Sequence, residues 1–358
     1  MEQHGRKDSI RIVGSQNKDK ESVEKCVEKV VLLRPASLIP ENKTYDVMLI
    51  GYLRGGTTFL GEVLGFRRVN FYIYEPLNTL QLWGHMDNGV VCYMNNNTCS
   101  NKTNMTDDTF LNVMRGIYNC DSQKYQHVLQ PWQYSKSIGL TQRNRPVCHQ
   151  QDLCFNKYLN ECPTAVSKVS KVPRLSIGLA LKLLHEFPNL KIIHLFRDPR
   201  AILNSRDKAR KAGWWATFLG TMSLCEKMRT NIRESSALER VYPKRIYTVF
   251  YENLVQNVSG SIAEIYKFLG YSFDEKEKFR LKEMTQASTD GKDTDTRRRN
   301  SALTAREWRN NIDIRVLDET NTACSDIYQR LGYPQLNNEI ELRNISIPLR
   351  VDNQHIHN

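Results

Sequence analysis

Tyr45-Asp-Val-Met-Leu-Ile-Gly-Tyr-Leu-Arg-Gly-Gly-Thr-Thr-Phe-Leu-Gly-Glu-Val-Leu64 is the stretch that decides the fold of this 358-residue chain. Its first six residues form a short apolar run that ends at Gly51, which is typical of a buried β-strand. Further on, apolar residues recur at helical spacing, and Thr57 or Thr58 is suited to cap that helix. A glycine-rich loop between a strand and a helix presents backbone N–H groups that bind phosphate.

The loop fits the phosphate-binding pattern G-x-x-x-x-G-K-S/T at three positions, Gly51, Gly56 and Thr58, but Thr57 occupies the lysine position. Kinases and nucleoside triphosphatases of this type use that lysine on the γ-phosphate, so Thr57 argues against a nucleotide kinase. The cation available inside the loop is Arg54. The alternative interpretation is a tight glycine turn that only packs a helix on a strand.

A second loop pairs an arginine with a hydroxyl. Arg197 stands where the apolar strand pattern Lys191–Phe196 ends, and Ser205 follows eight residues later in a helical pattern. Both side chains can therefore reach one phosphate, one from a strand end and one from a helix face. Taken alone, the Arg-Asp-Pro-Arg run fits an ordinary turn. Together the two loops predict a ligand with phosphates at both ends and no need of a metal.

Strand patterns alternate with helix patterns along most of the chain. The further strands are predicted at Phe71–Tyr74 and Arg245–Phe250, and the further helices at Leu175–Phe187, Arg200–Ala212, Ser259–Leu269, Ser301–Arg309 and Glu319–Leu331. The alternation predicts an α/β fold of the P-loop type, with three layers and a mainly parallel central sheet. We expect a polar stem at residues 1–44, the main domain at 45–335 with a Cys-rich insertion at about 84–165, and a tail at 336–358.

Composition excludes several classes of protein. A hydrophobic fraction of 40% and a charged fraction of 25% are globular, which excludes a disordered, collagenous or coiled-coil chain. The 51 Lys and Arg against 39 Asp and Glu give a net charge of +12, yet no nucleic-acid recognition motif accompanies it. The excess charge instead suits an anionic ligand.

Cysteines and glycosylation sequons indicate a lumenal protein. Six of the nine cysteines lie between Cys92 and Cys162, and the absence of any C-x-x-C pair weakens a zinc site. Six N-x-S/T sequons occur, at Asn42, Asn96, Asn101, Asn104, Asn257 and Asn344. Cys225 with Cys324, and pairs within Cys92–Cys162, are the disulfide pairings that stay open. Because no apolar leader is present, we expect an N-terminal anchor that this sequence lacks.

At these motifs the chain resembles the sulfotransferases that use 3′-phosphoadenosine 5′-phosphosulfate (PAPS), and most closely the Golgi carbohydrate 6-O-sulfotransferases. Four blocks carry the resemblance: Tyr52–Phe59 with Phe71–Pro76, Leu195–Arg206, Val249–Leu254 and Arg299–Arg309. The resemblance implies a sulfotransferase fold with PAPS as sulfuryl donor and no metal. The family usually has a serine where this chain has Gly55.

The resemblance also assigns residues to the donor. It implies that the 5′-phosphosulfate loop consists of Leu53, Arg54, Gly55, Gly56, Thr57, Thr58 and Phe59. Arg197 and Ser205 would hold the 3′-phosphate, and Arg299 would close over the nucleotide. Tyr251-Glu252 is interpreted as an internal hydrogen-bonded turn, with support of the nucleotide site as the alternative.

Sulfuryl transfer needs positive charge at the leaving phosphate and a proton acceptor at the attacking hydroxyl. Arg54 is the candidate for the first role, because an arginine stays protonated. Glu75 is the candidate base, since it ends the strand after the loop; the alternative is a glutamate that only bonds backbone. His194 fits a core histidine better than a base, and His85 is a weaker alternative.

We therefore expect transfer to the 6-OH of galactose, N-acetylglucosamine or N-acetylgalactosamine in a glycan or proteoglycan of the Golgi lumen. Nucleic acid is not expected as a partner, contact with a membrane is expected only through the anchor, and a homo-oligomer stays open. The alternatives are a small-molecule sulfotransferase and a non-catalytic glycan-binding module that retains the fold.

Overall fold

The computed structural model describes residues 44–65, 67, 69–80, 90–93, 98–101, 107–129, 133, 136–137, 151–173, 175–209, 220–291 and 296–352. Seven strands lie in this part of the chain: β1 Asp46–Ile50, β2 Asn70–Tyr74, β3 Val90–Tyr93, β4 Thr98–Asn101, β5 Ser167–Val172, β6 Leu190–Phe196 and β7 Ile246–Phe250. Five of them form one sheet in the order β2-β5-β1-β6-β7, and every pairing in it is parallel. The strands β3 and β4 form a separate antiparallel pair.

Thirteen α-helices accompany the strands in the described residues. They are α1 Thr57–Gly65, α2 Asp107–Asn119, α3 Gln151–Leu159, α4 Ile177–Glu186, α5 Pro199–Ala209, α6 Thr221–Val241, α7 Tyr251–Gln256, α8 Val258–Leu269, α9 Glu275–Thr285, α10 Ser301–Arg306, α11 Trp308–Asn311, α12 Ile314–Leu331 and α13 Glu339–Arg343. None of these helices is both long enough and apolar enough to cross a membrane.

The sheet is buried on both faces, as parallel sheets usually are. Met48 and Ile50 of β1 pack on one face with apolar residues of α2 and α4. Val47 and Leu49 point to the other face, where they meet α1 and α8. The predicted three-layer α/β fold with a parallel central sheet is therefore confirmed.

One strand of the sheet was not predicted from the sequence. Strand β5, Ser167-Lys-Val-Ser-Lys-Val172, has mostly polar residues. It nevertheless lies between β1 and β2, and all but one of its residues are buried. Its hydroxyls and Lys171 find partners inside the protein, and Ser170, for example, shares a hydrogen bond with the hydroxyl of Tyr118. Polar side chains with internal partners can occupy a core strand without an apolar pattern.

Two disulfides lie within the described residues. Cys225–Cys324 joins α6 to α12, and Cys120–Cys162 ties the end of α2 to the segment before β5. Both pairings were among those left open by the sequence. The expected tail is packed on the domain, since its apolar residues Leu336, Leu342 and Leu349 are buried. Residues 1–43 of the expected stem and His85 lie outside the described residues.

Candidate active site

The loop after β1 occupies the centre of the sheet's carboxyl edge, where ligands bind in parallel α/β folds. Arg54 has a φ of 70° and Gly56 a φ of 93°. A Cβ added to Gly56 would lie 2.4 Å from Cδ2 of Tyr251, so only glycine fits there. A backbone held in the left-handed region by a non-glycine residue such as Arg54 is common at ligand sites.

The same tight turn accounts for Gly55, the position at which the chain departs from the expected serine. The Gly55 amide donates to the carbonyl of Tyr52 at 2.8 Å. A Cβ at this position would also lie 2.8 Å from that carbonyl oxygen. A serine would therefore force the turn to open, and glycine permits it.

The two predicted phosphate-binding loops meet. Nε of Arg54 donates to Oγ of Ser205 at 3.0 Å, and Nη1 of Arg197 donates to the backbone carbonyl of Arg54 at 3.0 Å. Residues that are more than 140 positions apart in sequence are thus brought into direct contact. The structure places all three candidate phosphate ligands in one site.

A third arginine in this site was missed by sequence reasoning. Arg206 is buried, and its Nε donates to the carbonyl of Leu53 at 3.2 Å. Burial lowers the pKa of Arg206 to about 9, which leaves it charged at neutral pH. The signal was present in the sequence, because Arg206 directly follows Ser205 in the Leu195–Arg206 block.

The site suits the binding of an anion. The guanidinium groups of Arg54, Arg197 and Arg206 all lie around one loop, and Nε of Arg197 is buried without a hydrogen-bond partner among the described residues. A buried donor of this kind is costly unless a ligand or water satisfies it. Phosphate oxygens are good acceptors for such a group, because arginine binds them with charge-assisted hydrogen bonds.

The remaining loop residues differ in what they can offer a ligand. Thr57 and Phe59 have buried side chains, and Phe59 packs into the core below the loop. Their backbone N–H groups lie in the first turn of α1, where no intrahelical acceptor exists. Thr58 is partly exposed, and its hydroxyl oxygen accepts a hydrogen bond from Nζ of Lys171.

Glu75 lies where β2 ends, on the same edge of the sheet, and has a φ of 45°. Its side chain is buried and contacts a lysine: Oε1 accepts a hydrogen bond from Nζ of Lys171 on β5. Oε2 accepts from Nδ2 of Asn78 at 3.1 Å. The structure therefore holds the carboxylate of Glu75 in one orientation.

Lys171 connects Glu75 to the loop. Its Nζ also donates to Oγ1 of Thr58 at 3.1 Å and lies 4.0 Å from the ring centroid of Tyr74. Burial alone would lower the pKa of Lys171, but the charges of Glu75 and Tyr74 and their hydrogen bonds raise it overall. The loop has no lysine at position 57, but Lys171 of the neighbouring strand β5 contacts the loop at Thr58.

Arg299 is not hydrogen-bonded or ion-paired to either loop within the described part of the chain. It lines a cavity of about 690 Å³ together with Lys278, Lys282 and Gln286, and no acidic side chain is among the described lining residues. The cavity reaches Val255 of α7, the helix that begins with Tyr251 beside Gly56. Arg299 therefore borders a basic cavity next to the loop rather than the loop itself.

His194 is a core residue. It is fully buried, its Nδ1 shares a 2.7 Å hydrogen bond with the hydroxyl of Ser235, and burial lowers its pKa to about 3. A histidine in this setting stays neutral and out of reach of a substrate. His85, the weaker alternative base, lies outside the described residues.

Comparison with known proteins identifies the family. Residues 44–332 match the model of the sulfotransferase domain family. Carbohydrate sulfotransferase 1 of Mus musculus is 25% identical over 85% of this chain and 82% of its own length. Carbohydrate sulfotransferase 6 of Homo sapiens is 23% identical, with coverage of 88% and 87%. The sulfotransferase domain of a Synechococcus olefin synthase aligns with a TM-score of 0.42 at 18% identity, over 79% of this chain and 96% of that one, a likeness too distant to support an argument.

The chain belongs to the sulfotransferase family. It is therefore a sulfotransferase, an enzyme that transfers sulfuryl groups.

Proposed function

We propose that this protein transfers a sulfuryl group from PAPS to a sugar hydroxyl of a glycan. The observation that carries the proposal is the contact of Arg54 with both Ser205 and Arg197, because it joins two phosphate-binding loops into one site. The carbohydrate sulfotransferases among its relatives support a sugar as acceptor. PAPS supplies the activated sulfuryl group.

The donor would be held by cations and backbone amides. Arg197 and Ser205 would bind the 3′-phosphate, and the first turn of α1 with Arg54 would bind the 5′-phosphosulfate. Arg54 would oppose the negative charge that develops on the leaving phosphate, and a preorganised donor in this role contributes about 100-fold or more to the rate. The cavity beside Arg299 has the size of a typical ligand pocket and would take the nucleoside.

Glu75 would accept the proton of the attacking hydroxyl. Its contact with Lys171 favours the ionised carboxylate, which is the form that accepts a proton. The cation at Lys171 also lies beside Thr58, between the base and the phosphosulfate loop.

The acceptor hydroxyl is proposed to be the 6-OH of galactose, N-acetylglucosamine or N-acetylgalactosamine, and the place of action the Golgi lumen. The resemblance of the four blocks supports both, and the two disulfides suit an oxidising compartment. Trp132, Tyr134, Trp214 and Trp215, which could stack on sugar rings, lie outside the described residues.

The test is transfer of label from PAPS to a panel of oligosaccharides with terminal galactose, N-acetylglucosamine or N-acetylgalactosamine. Arg54→Ala should reduce transfer about 100-fold. The control is Arg315→Ala, because the Arg315 side chain is 87% exposed and far from any role in the site. A wild-type protein that binds the nucleotide product PAP and labels no glycan would contradict the proposal and favour a binding module.

A further inference from the structure

The helix that carries Ser205 begins with an incomplete cap. Asp198 precedes α5, and its Oδ1 accepts from the backbone N–H of Arg200 at 2.9 Å. In a complete capping box, a glutamate or glutamine at the third helical position accepts from the backbone N–H of the capping residue. That position is Ala201, which has no acceptor.

Glu252 supplies the missing acceptor from another part of the chain. Its Oε1 accepts from the backbone N–H of Asp198 at 3.0 Å, and its Oε2 accepts from the hydroxyl of Tyr333 at 3.1 Å. Glu252 is 2% exposed, so the N–H of Asp198 would be left without water if this acceptor were lost. Because Asp198 directly follows Arg197, the contact fixes the backbone that presents Arg197.

Tyr251, the preceding residue, contacts both loops. The guanidinium carbon of Arg197 lies 4.4 Å from the centroid of its ring. The same ring packs against Gly56, where a Cβ would come within 2.4 Å of Cδ2. The ring thus occupies the space that the two loops share.

We infer that Tyr251 and Glu252 are positioning residues that set the geometry of both phosphate-binding loops. Glu252 completes the cap of α5 and so orients Arg197 and Ser205. Tyr251 keeps the first loop at a fixed spacing from Arg197. The inference rests on the proposed function, in which the two loops bind one donor molecule.

Matched pairs of variants separate positioning from simple loss of packing. Glu252→Gln keeps a carbonyl acceptor for the N–H of Asp198, whereas Glu252→Leu has similar size and no acceptor. Tyr251→Phe keeps the ring, whereas Tyr251→Leu does not. The measurements are the Kd of PAP, the KM of PAPS and of the glycan, and hydrogen exchange of the backbone amides of Asp198 and of residues 200–203.

We expect Glu252→Leu and Tyr251→Leu to raise the Kd of PAP and the KM of PAPS about tenfold, since each loses a buried hydrogen bond or ring contact worth that factor. Glu252→Gln and Tyr251→Phe should recover most of this loss. The KM of the glycan should stay within about twofold of wild type, because the contacts that change all lie on the donor side. Exchange of the Asp198 amide should accelerate in Glu252→Leu alone among the four variants.

Equal donor affinity within both pairs would overturn the inference. If Glu252→Leu fails to fold, the Tyr251 pair decides, and equal PAP affinity of its two members contradicts the inference. If wild type binds no PAP, the proposed function fails, and hydrogen exchange at Asp198 in Glu252→Leu, compared with Glu252→Gln, still reports whether Glu252 holds that amide. Unchanged exchange on removal of the acceptor would contradict the positioning role.

Discussion

The cations on the two sides of the loop after β1 have different kinds of partner. On the donor side, Arg54 and Arg197 donate hydrogen bonds to a hydroxyl and to a backbone carbonyl, which are neutral groups. On the other side, Lys171 contacts the carboxylate of Glu75. A cation that donates to a neutral carbonyl, as Arg197 does, can still attract an anionic ligand, whereas the paired cation of Lys171 fixes the orientation of its partner. We propose from this difference that one side of the loop binds the donor and the other side accepts the proton.

The buried carboxylates of Glu75 and Glu252 also differ in the kind of partner that they contact. Glu75 contacts a lysine, whereas Glu252 behind the donor loops faces the carboxylate of Asp198 and the phenol of Tyr333. Burial first, and then the charge of Asp198, raises the pKa of Glu252 to about 7, although Arg197 opposes the shift. Glu75 is therefore held by a cation, and Glu252 is held largely by backbone and hydroxyl donors. Variants that change the partner of Glu75, or Glu252 itself, test this difference.

The largest effect is expected from Lys171→Met. Removal of one partner of a buried ion pair costs about 3–5 kcal/mol, because the other charge stays buried. The variant should unfold at correspondingly lower denaturant concentration. Lys171→Met combined with Glu75→Gln should recover much of the loss, and a double variant as unstable as the single one would contradict the pairing. Lys278→Met is the control, since its partner Glu275 is 87% exposed.

The next effect concerns pH and Glu252. Because the folded state holds the pKa at about 7 against an ordinary value of 4.5, it binds this proton more tightly than the unfolded chain. Stability should therefore fall as pH rises from about 4.5 to about 7, by roughly 3 kcal/mol in total. Glu252→Gln should lack this component in denaturant unfolding at pH 5 and pH 8. Parallel pH profiles of variant and wild type would show that Glu252 does not titrate in this range.

Arg197→Ala should weaken the donor side alone. A charge-assisted hydrogen bond to phosphate is worth about 1.5–3 kcal/mol, so the Kd of PAP should rise about 10- to 150-fold. Calorimetry against Arg315→Ala measures the difference. Unchanged PAP affinity would remove Arg197 from the donor site, whatever its effect on turnover.

The smallest effect is expected from Thr58→Val, which removes the hydroxyl that accepts from Lys171 and nearly preserves shape. The loss in kcat should be about tenfold, the lower end of the range for a hydrogen bond to a charged group, because Lys171 keeps Glu75 as a partner. Thr58→Ser restores the hydroxyl and should recover the rate. If the kcat of Thr58→Val equals that of wild type, Lys171 acts through Glu75 alone.

Much of the fold and of the donor side follows from the sequence, because both depend on local patterns. The strand at Tyr45–Ile50, the glycine-rich loop and the Arg197–Ser205 spacing are all readable from neighbouring residues. Lys171 was not predicted, because β5 has no apolar pattern and its lysine is buried through a contact 96 residues away. The contact of Glu252 with Asp198, 54 residues away, is non-local in the same way. Glu75 and Arg54 were selected by position along the chain, and their catalytic roles stay predictions.

The central claim is that donor binding and proton transfer belong to separate sides of one loop. Glu75→Gln tests it most directly, because the amide keeps the size of the side chain and loses the base. The account predicts that kcat for sulfuryl transfer falls at least about 100-fold, while the Kd of PAP stays within about twofold of wild type, with Glu275→Gln as the exposed control. Full turnover by Glu75→Gln, measured with labelled PAPS and the best glycan of the panel, would contradict the account.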